Sequence, residues 1–143
     1  QTPMMWRGIE DLWGNVYGFV IGIEPRKSDA WRIINPNGIN QLAHPLTTGT
    51  YISTVTQCFQ TSGYWGSSVK EPAAKWSLLP ADNSGSNAQK RCDYYSAPGY
   101  SSGVLLVGGG WGVGAFAGVA YRYARYAASI SDRSFGGRLE FIP

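Results

Sequence analysis

A glycine frame in the C-terminal part of this chain constrains its folding more than any other feature. Gly108-Gly109-Gly110-Trp111-Gly112-Val113-Gly114-Ala115-Phe116-Ala117-Gly118 leads, through a run rich in tyrosine and arginine, to Gly136-Gly137-Arg138-Leu139. Glycine opens backbone conformations closed to other residues and weakens helices. Such a segment is expected to hold an irregular but fixed path. The frame consists of Gly109, Gly114, Ala117, Gly118, Ala127, Gly136 and Gly137. The residues between share no common chemistry: Val113, Phe116, Tyr121, Tyr123, Arg125, Tyr126, Ile130, Asp132 and Ser134. A pinned backbone with mixed aromatic and charged side chains reads as a binding face rather than a catalytic centre. Tyr121, Tyr123 and Tyr126 crowd there with Arg122 and Arg125, and Tyr and Arg are the residue types that dominate binding hot spots. Ala120, Ala124, Ala127 and Ala128 leave little other bulk to turn inward, so the three tyrosines are expected at the surface.

The rest of the composition agrees with a loop-rich domain. At 143 residues the chain fits one domain, 1–143, with a core of its own. Charged residues make up 15% of it, against a typical share of about 25%. The net charge of +3 is mild, and no basic run is longer than Arg26-Lys27 or Lys90-Arg91, so no nucleic-acid partner is expected. No apolar stretch is long enough to span a bilayer, and no membrane insertion is expected. The chain opens at Gln1 with no initiator Met and no signal-peptide pattern, as a mature fragment or the distal module of a longer protein would. Cys58 and Cys92 allow one disulfide at most, and free buried thiols are the expectation for a protein assembled in a cytoplasm.

Local patterns give short elements. Residues 4–9 read as a strand. Glu10 and Asp11 at a helix start, Leu12, Val16 and Phe19 near helical spacing, and the i,i+4 pair Trp13 and Tyr17 predict a helix over residues 11–19. Gly14 and Gly18 make that helix dependent on packing. Residues 19–23 read as a buried strand stopped at Pro25, and residues 31–34 as another, followed by the turn Asn35-Pro36-Asn37-Gly38. One irregular strand is expected within 47–64, and a loop anchored by Trp76 over 65–80. Residues 82–87 look the most flexible. Strands are expected over 90–96 and 101–107, where Val104-Leu105-Leu106-Val107 is the strongest apolar run, and over 138–142. Trp6, Trp13, Trp31 and Trp76 are expected in the core. Short strands, an early helix and long loops make the expected fold class α+β.

Three motifs in order carry a resemblance. Gly108-Gly109 through Gly118, followed by Gly136-Gly137-Arg138-Leu139, resembles the variable region of C-type lectin-fold proteins diversified by retroelements in phages and gut bacteria. Arg7-Gly8-Ile9-Glu10-Asp11-Leu12-Trp13-Gly14-Asn15-Val16-Tyr17 resembles the opening of phage tail-fibre modules of that fold and is similar to the opening of the formylglycine-generating-enzyme branch. Cys92-Asp93-Tyr94-Tyr95 resembles the aromatic strand before the variable segment. The resemblance implies a C-type lectin-like fold with paired N- and C-terminal strands, one or two helices and a variable segment at about 108–138. It implies a structural Trp111. It also implies receptor binding, to a protein or a glycan on a host cell, at a phage tail-fibre tip or on a bacterial surface protein, with homotrimers as the family's fibre arrangement. The ligand-binding set is then Gly110, Gly112, Val113, Phe116, Tyr121, Tyr123, Arg125, Tyr126, Ile130, Asp132 and Ser134, with Arg122, Arg125 and Arg133 available to anionic groups.

Other chemistry is poorly supported. Gly112-Val113-Gly114-Ala115-Phe116-Ala117 is formally G-x-G-x-x-A, but residues 121–134 show no apolar helical stripe to complete a dinucleotide site. Formylglycine-generating enzymes need cysteines in the C-terminal half, and none follows Cys92. His44 has no partner motif for nucleophilic catalysis. Glu24-Pro25-Arg26 lacks the third residue of a lectin calcium motif, and no W-N-D occurs. No catalytic residue, metal or cofactor is therefore expected. The alternatives are an enzyme on the same fold and a structural fibre or decoration module.

Overall fold

The computed structural model describes residues 5–6, 9–10, 14–20, 22–34, 51–55, 60–68, 79–88 and 93–136. Eleven strands run through them: β1 (Met5–Trp6), β2 (Ile9–Glu10), β3 (Tyr17–Val20), β4 (Ile23–Glu24), β5 (Trp31–Ile34), β6 (Tyr51–Val55), β7 (Gly63–Tyr64), β8 (Tyr94–Ser96), β9 (Val104–Val107), β10 (Arg122–Tyr126) and β11 (Phe135–Gly136). The one helical element among the described residues is a 3-10 turn, Gly114–Phe116.

Six strands form a mixed sheet in the order β11-β3-β9-β10-β8-β7, and three form a second sheet in the order β4-β5-β6. The apolar run of β9 lies near the centre of the larger sheet, as a run hydrophobic on both faces should. Antiparallel register sets Phe19 opposite Leu106 and Val20 opposite Leu105. On the other side of β9, Tyr123 stands opposite Leu106, and a register shift follows before Tyr126. Cross-strand partners share a face, and neighbours along a strand alternate. One face therefore carries Val20, Leu105, Tyr95, Arg122 and Ala124. The other carries Tyr17, Phe19, Leu106, Tyr123, Tyr94 and Phe135.

The first face packs against the smaller sheet. Ile23, Trp31 and Ile33 meet Leu79, Tyr95, Leu105 and Ala124 in one buried cluster, with Val20, Ala81 and Ala97 against it. Trp31 and Ile33 are fully buried. Burying side chains of this size stabilises by about 1.5–3 kcal/mol each, so this layer holds the two sheets together.

Among the described residues, the architecture is nearly all-β, and this overturns the expected α+β class with its one or two helices. Residues 17–20, expected in the helix, form β3, while residues 11–13 lie outside the described residues. Gly18 faces Val107, and a Cβ there would touch its Cγ2 at 3.4 Å, a close fit that a strand pair uses and a helix does not. The stretch 4–9 is not one strand: Met5–Trp6 turns back on Ile9–Glu10 as an antiparallel pair. The expected buried strand 19–23 is split at Gly22 (φ +89°) between the two sheets. Among the described residues of 47–64 there are two strands, Tyr51–Val55 and Gly63–Tyr64, where one was expected. The expected partners at the termini, residues 138–142, lie outside the described residues. Within them, β11 pairs with β3 in parallel. Trp13, Trp76, His44, Cys58 and Cys92 also lie outside them.

Candidate functional site

The connection from β9 to β10, residues 108–120, is built inside out. Its buried members are glycines: Gly108, Gly109, Gly110 and Gly118. Its large side chains face water: Trp111 is 51% exposed, Phe116 43% and Val119 65%. Packing explains the glycines. A Cβ on Gly118 would lie 2.1 Å from a carboxylate oxygen of Asp93, and one on Gly110 would lie 2.7 Å from the Tyr17 ring. The other Asp93 oxygen accepts the Ala120 N–H at 2.6 Å. The Trp111 N–H donates to the Asn15 carbonyl at 2.8 Å, and the Gly14 N–H donates to the Gly108 carbonyl at 2.9 Å. These bonds fasten the loop to the start of β3. The Arg133 guanidinium lies 5.5 Å from the centre of the Trp111 ring, a cation–π distance.

Beside this loop the outer face of the sheet is tiled with rings. Tyr17 lies 5.6 Å from Tyr123, 5.7 Å from Phe135 and 6.0 Å from Tyr121 between ring centres. Tyr126 contacts Tyr123 at 4.9 Å and Phe135 at 5.5 Å. A separate trio joins Phe116 to Tyr64 and Tyr94. Such pairs add about 0.5–1.5 kcal/mol each beyond area burial. The hydroxyls bond along the face: Tyr121 to Tyr17 and Ser96, and Tyr123 to Tyr126. Burial, reinforced by Tyr17 at Tyr121 and by Tyr126 at Tyr123, pushes both phenols well above the usual tyrosine range. They stay neutral donors and acceptors at physiological pH.

Arg122 turns the other way. It is buried, and its Nη1 donates to the Val119 and Tyr121 carbonyls at 3.0 Å each. Its guanidinium sits 5.5 Å from the centre of the buried Trp65 ring. Burial lowers its pKa to about 10, a shift that Asp93 opposes. This arginine braces the loop and is not offered to an anionic ligand.

The expected site residues therefore divide into groups. Tyr121, Tyr123 and Tyr126 share the ring face, but Tyr121 is buried, contrary to its expected exposure, and Tyr123 and Tyr126 are half-buried. Phe116 belongs to the second ring trio. Val113, Gly112 and Gly110 lie along the loop, with Gly110 buried and Gly112 exposed. Asp132 and Ser134 form an exposed turn in which the Asp132 carboxylate accepts the Ser134 N–H at 2.8 Å and the Ser134 hydroxyl at 2.7 Å. Those two bonds hold Asp132 below the usual carboxylate range. Arg125 is exposed, at the register shift of β10, and Ile130 is half-buried in the connection to β11. Trp111, expected to be structural, stands in solvent instead: the backbone of Gly108 to Gly110 before it is buried, and its own indole lies outside the sheet. Tyr17, Phe135, Tyr94, Tyr64 and Asp93 were not anticipated. The alternation Tyr17-Gly18-Phe19 was the available signal for the first, once β3 is read with period two.

Of residues 82–87, expected to be flexible, Asp82 to Gly85 are held by hydrogen bonds. The Asp82 carboxylate accepts hydrogen bonds from the Ser67 hydroxyl and, at 2.6 Å, from the Ser84 hydroxyl. Among the described residues no three His, Cys, Asp or Glu side chains gather as a metal site would require. Comparison with protein-family models, curated proteins and solved structures finds no match for this chain.

Proposed function

We propose that this domain is a non-enzymatic recognition module that binds a receptor on a host-cell surface, as part of a phage tail fibre or a retroelement-diversified bacterial surface protein. The observation that carries this reading is the inside-out loop 108–120. Its fold-determining atoms are buried glycines, whereas Trp111, Phe116 and Val119 are presented to water. Exposed apolar surface marks interaction sites, and here three large apolar side chains are exposed along one loop. Trp111 and Val119 in particular lie outside the packed rings, so they are free to vary and to bind. The half-buried Tyr123 and Tyr126 and the exposed Arg125 extend the same functional segment. Binding by such groups is non-covalent and needs no metal or cofactor. The resemblance of the glycine frame to retroelement-diversified variable regions supports the same reading.

The test is binding of the labelled domain to a panel of bacterial strains. A double variant, Trp111→Ser and Val119→Ser, is expected to lose binding to the strain that the parent recognises, with its melting temperature nearly unchanged. Binding equal to the parent's, or a parent that recognises no strain, would overturn the reading.

A further inference from the structure

We infer that Trp111 and the bare backbone at Gly112 form a subsite for one ring of a neutral saccharide, an assignment that rests on the recognition role proposed above. The starting point is a glycine that the fold does not explain. Gly109 sits at φ +76°, Gly114 at φ +61°, and Gly110 and Gly118 are crowded by Tyr17 and Asp93. Gly112 has neither reason. Its φ lies outside the left-handed region, and a Cβ there would meet nothing within 4 Å. A glycine that no internal contact requires leaves room for a close approach to the backbone from outside.

The neighbours define what fits. The Trp111 N–H is used by Asn15 and the Val113 N–H by Gly110, whereas the Gly112 N–H between them has no hydrogen bond among the described residues. The exposed indole stands beside this free donor, with Arg133 over the ring at 5.5 Å. From Tyr94 to Tyr121 the chain contains no charged side chain. Asp132, next to Arg133 in the chain and in Coulombic interaction with it, sets a negative charge near the positive one. The ring face turned from Arg133, beside an open amide, suits a ligand with an apolar C–H face and a rim of hydroxyls. The adjacent opposite charges of Asp132 and Arg133 offer a charged ligand no net attraction. A neutral pyranose meets this description.

Two other occupants fit less well. The exposed apolar residues are separated by glycine and alanine, whereas a protein–protein interface needs a continuous packed core within about 800 Å² per partner. Insertion into lipid would strand the open Gly112 amide without a partner, at a cost of several kcal/mol.

The test combines a printed array of neutral, sialylated and sulfated oligosaccharides with NMR titration of the isotope-labelled domain by the array's best neutral member. The expected result is binding to a neutral member, with shifts of the Trp111 indole and Gly112 amide resonances. Gly112→Val should weaken that affinity by at least about tenfold, one anchor's worth of contact. It should leave the melting temperature unchanged, because the added side chain enters open space. Binding confined to anionic sugars, no member bound, a neutral sugar that leaves Trp111 and Gly112 unmoved, or a Gly112→Val domain that binds like the parent would each overturn the assignment. If the parent still recognises a strain while the array is silent, the saccharide subsite fails and the recognition role stands. If no strain is bound, the recognition role fails as well.

Discussion

The layer between the two sheets and the loop 108–120 use large apolar residues in opposite ways. In the layer, Trp31, Ile33 and Leu105 are inside and their strands frame them. In the loop, the backbone is inside and Trp111, Phe116 and Val119 are outside. The first arrangement spends side-chain volume on stability. The second draws its stability from hydrogen bonds and close backbone packing at glycines, which leaves most of its side chains uncommitted, Phe116 with its ring partners excepted. Two tryptophans of the same chain thus stand at 0% and 51% exposure, and residue type alone does not say which is which. The outer ring face lies between these extremes, with Tyr121 buried and Phe19 41% exposed.

Substitutions can break this comparison or sharpen it. Trp31→Ala should destabilise the domain by about 3–5 kcal/mol in urea titration, the cost of emptying a large aromatic site. A small loss there would mean that the layer does not hold the sheets together. Gly118→Ala should cost about 1–3 kcal/mol, because its Cβ must displace the Asp93 carboxylate. Gly112→Ala, measured in the same way, should stay within about 0.5 kcal/mol. Similar losses at both glycines would erase the distinction between packed and open positions.

Tyr121→Phe removes a buried hydroxyl bonded to Tyr17 and Ser96 and should cost about 1 kcal/mol. No loss would show that the hydroxyl chain along the outer face contributes nothing to stability. Trp111→Ala should cost less than about 1 kcal/mol, even with its Arg133 contact removed. A loss as large as that at Trp31 would return Trp111 to the core and end the inside-out description.

The smallest effect is pH-dependent. Hydrogen bonds from Ser67 and Ser84 hold Asp82 below the usual carboxylate range. A carboxyl depressed in the folded state contributes stability above its unfolded value of about 4 and loses it as pH falls through the folded value. Acid titration should therefore show stability falling below about pH 4 by a few tenths of a kcal/mol more in the parent than in Asp82→Asn, as suits a largely solvated group. Identical acid profiles would exclude this contribution.

Parts of this fold were legible from pattern alone. The run Val104-Leu105-Leu106-Val107 marks a strand buried on both faces, and Trp31-Arg32-Ile33 alternates as a strand buried on one. The start of β3 was misread because Leu12, Val16 and Phe19 keep helical spacing while Tyr17 and Phe19 keep a period of two. Over so few residues the two periods overlap, and cross-strand pairing with β9 and β11 decides between them. Tyr121 was misjudged for a related reason. A phenol is buried readily only where its hydroxyl finds a partner, and the partners of Tyr121, at positions 17 and 96, come from distant strands.

The sequence by itself determined that residues 108–118 hold a glycine-dependent path, because few other residues tolerate that density of left-handed and crowded positions. It also determined the apolar centre of the larger sheet. Only the tertiary structure decided which side chains that path exposes. The choice depends on Asp93 beneath Gly118, Tyr17 against Gly110 and Asn15 holding Trp111, contacts that join segments far apart in the chain. Exposure is a property of what lies opposite, and what lies opposite is set by strand order and register rather than by the local run of residues.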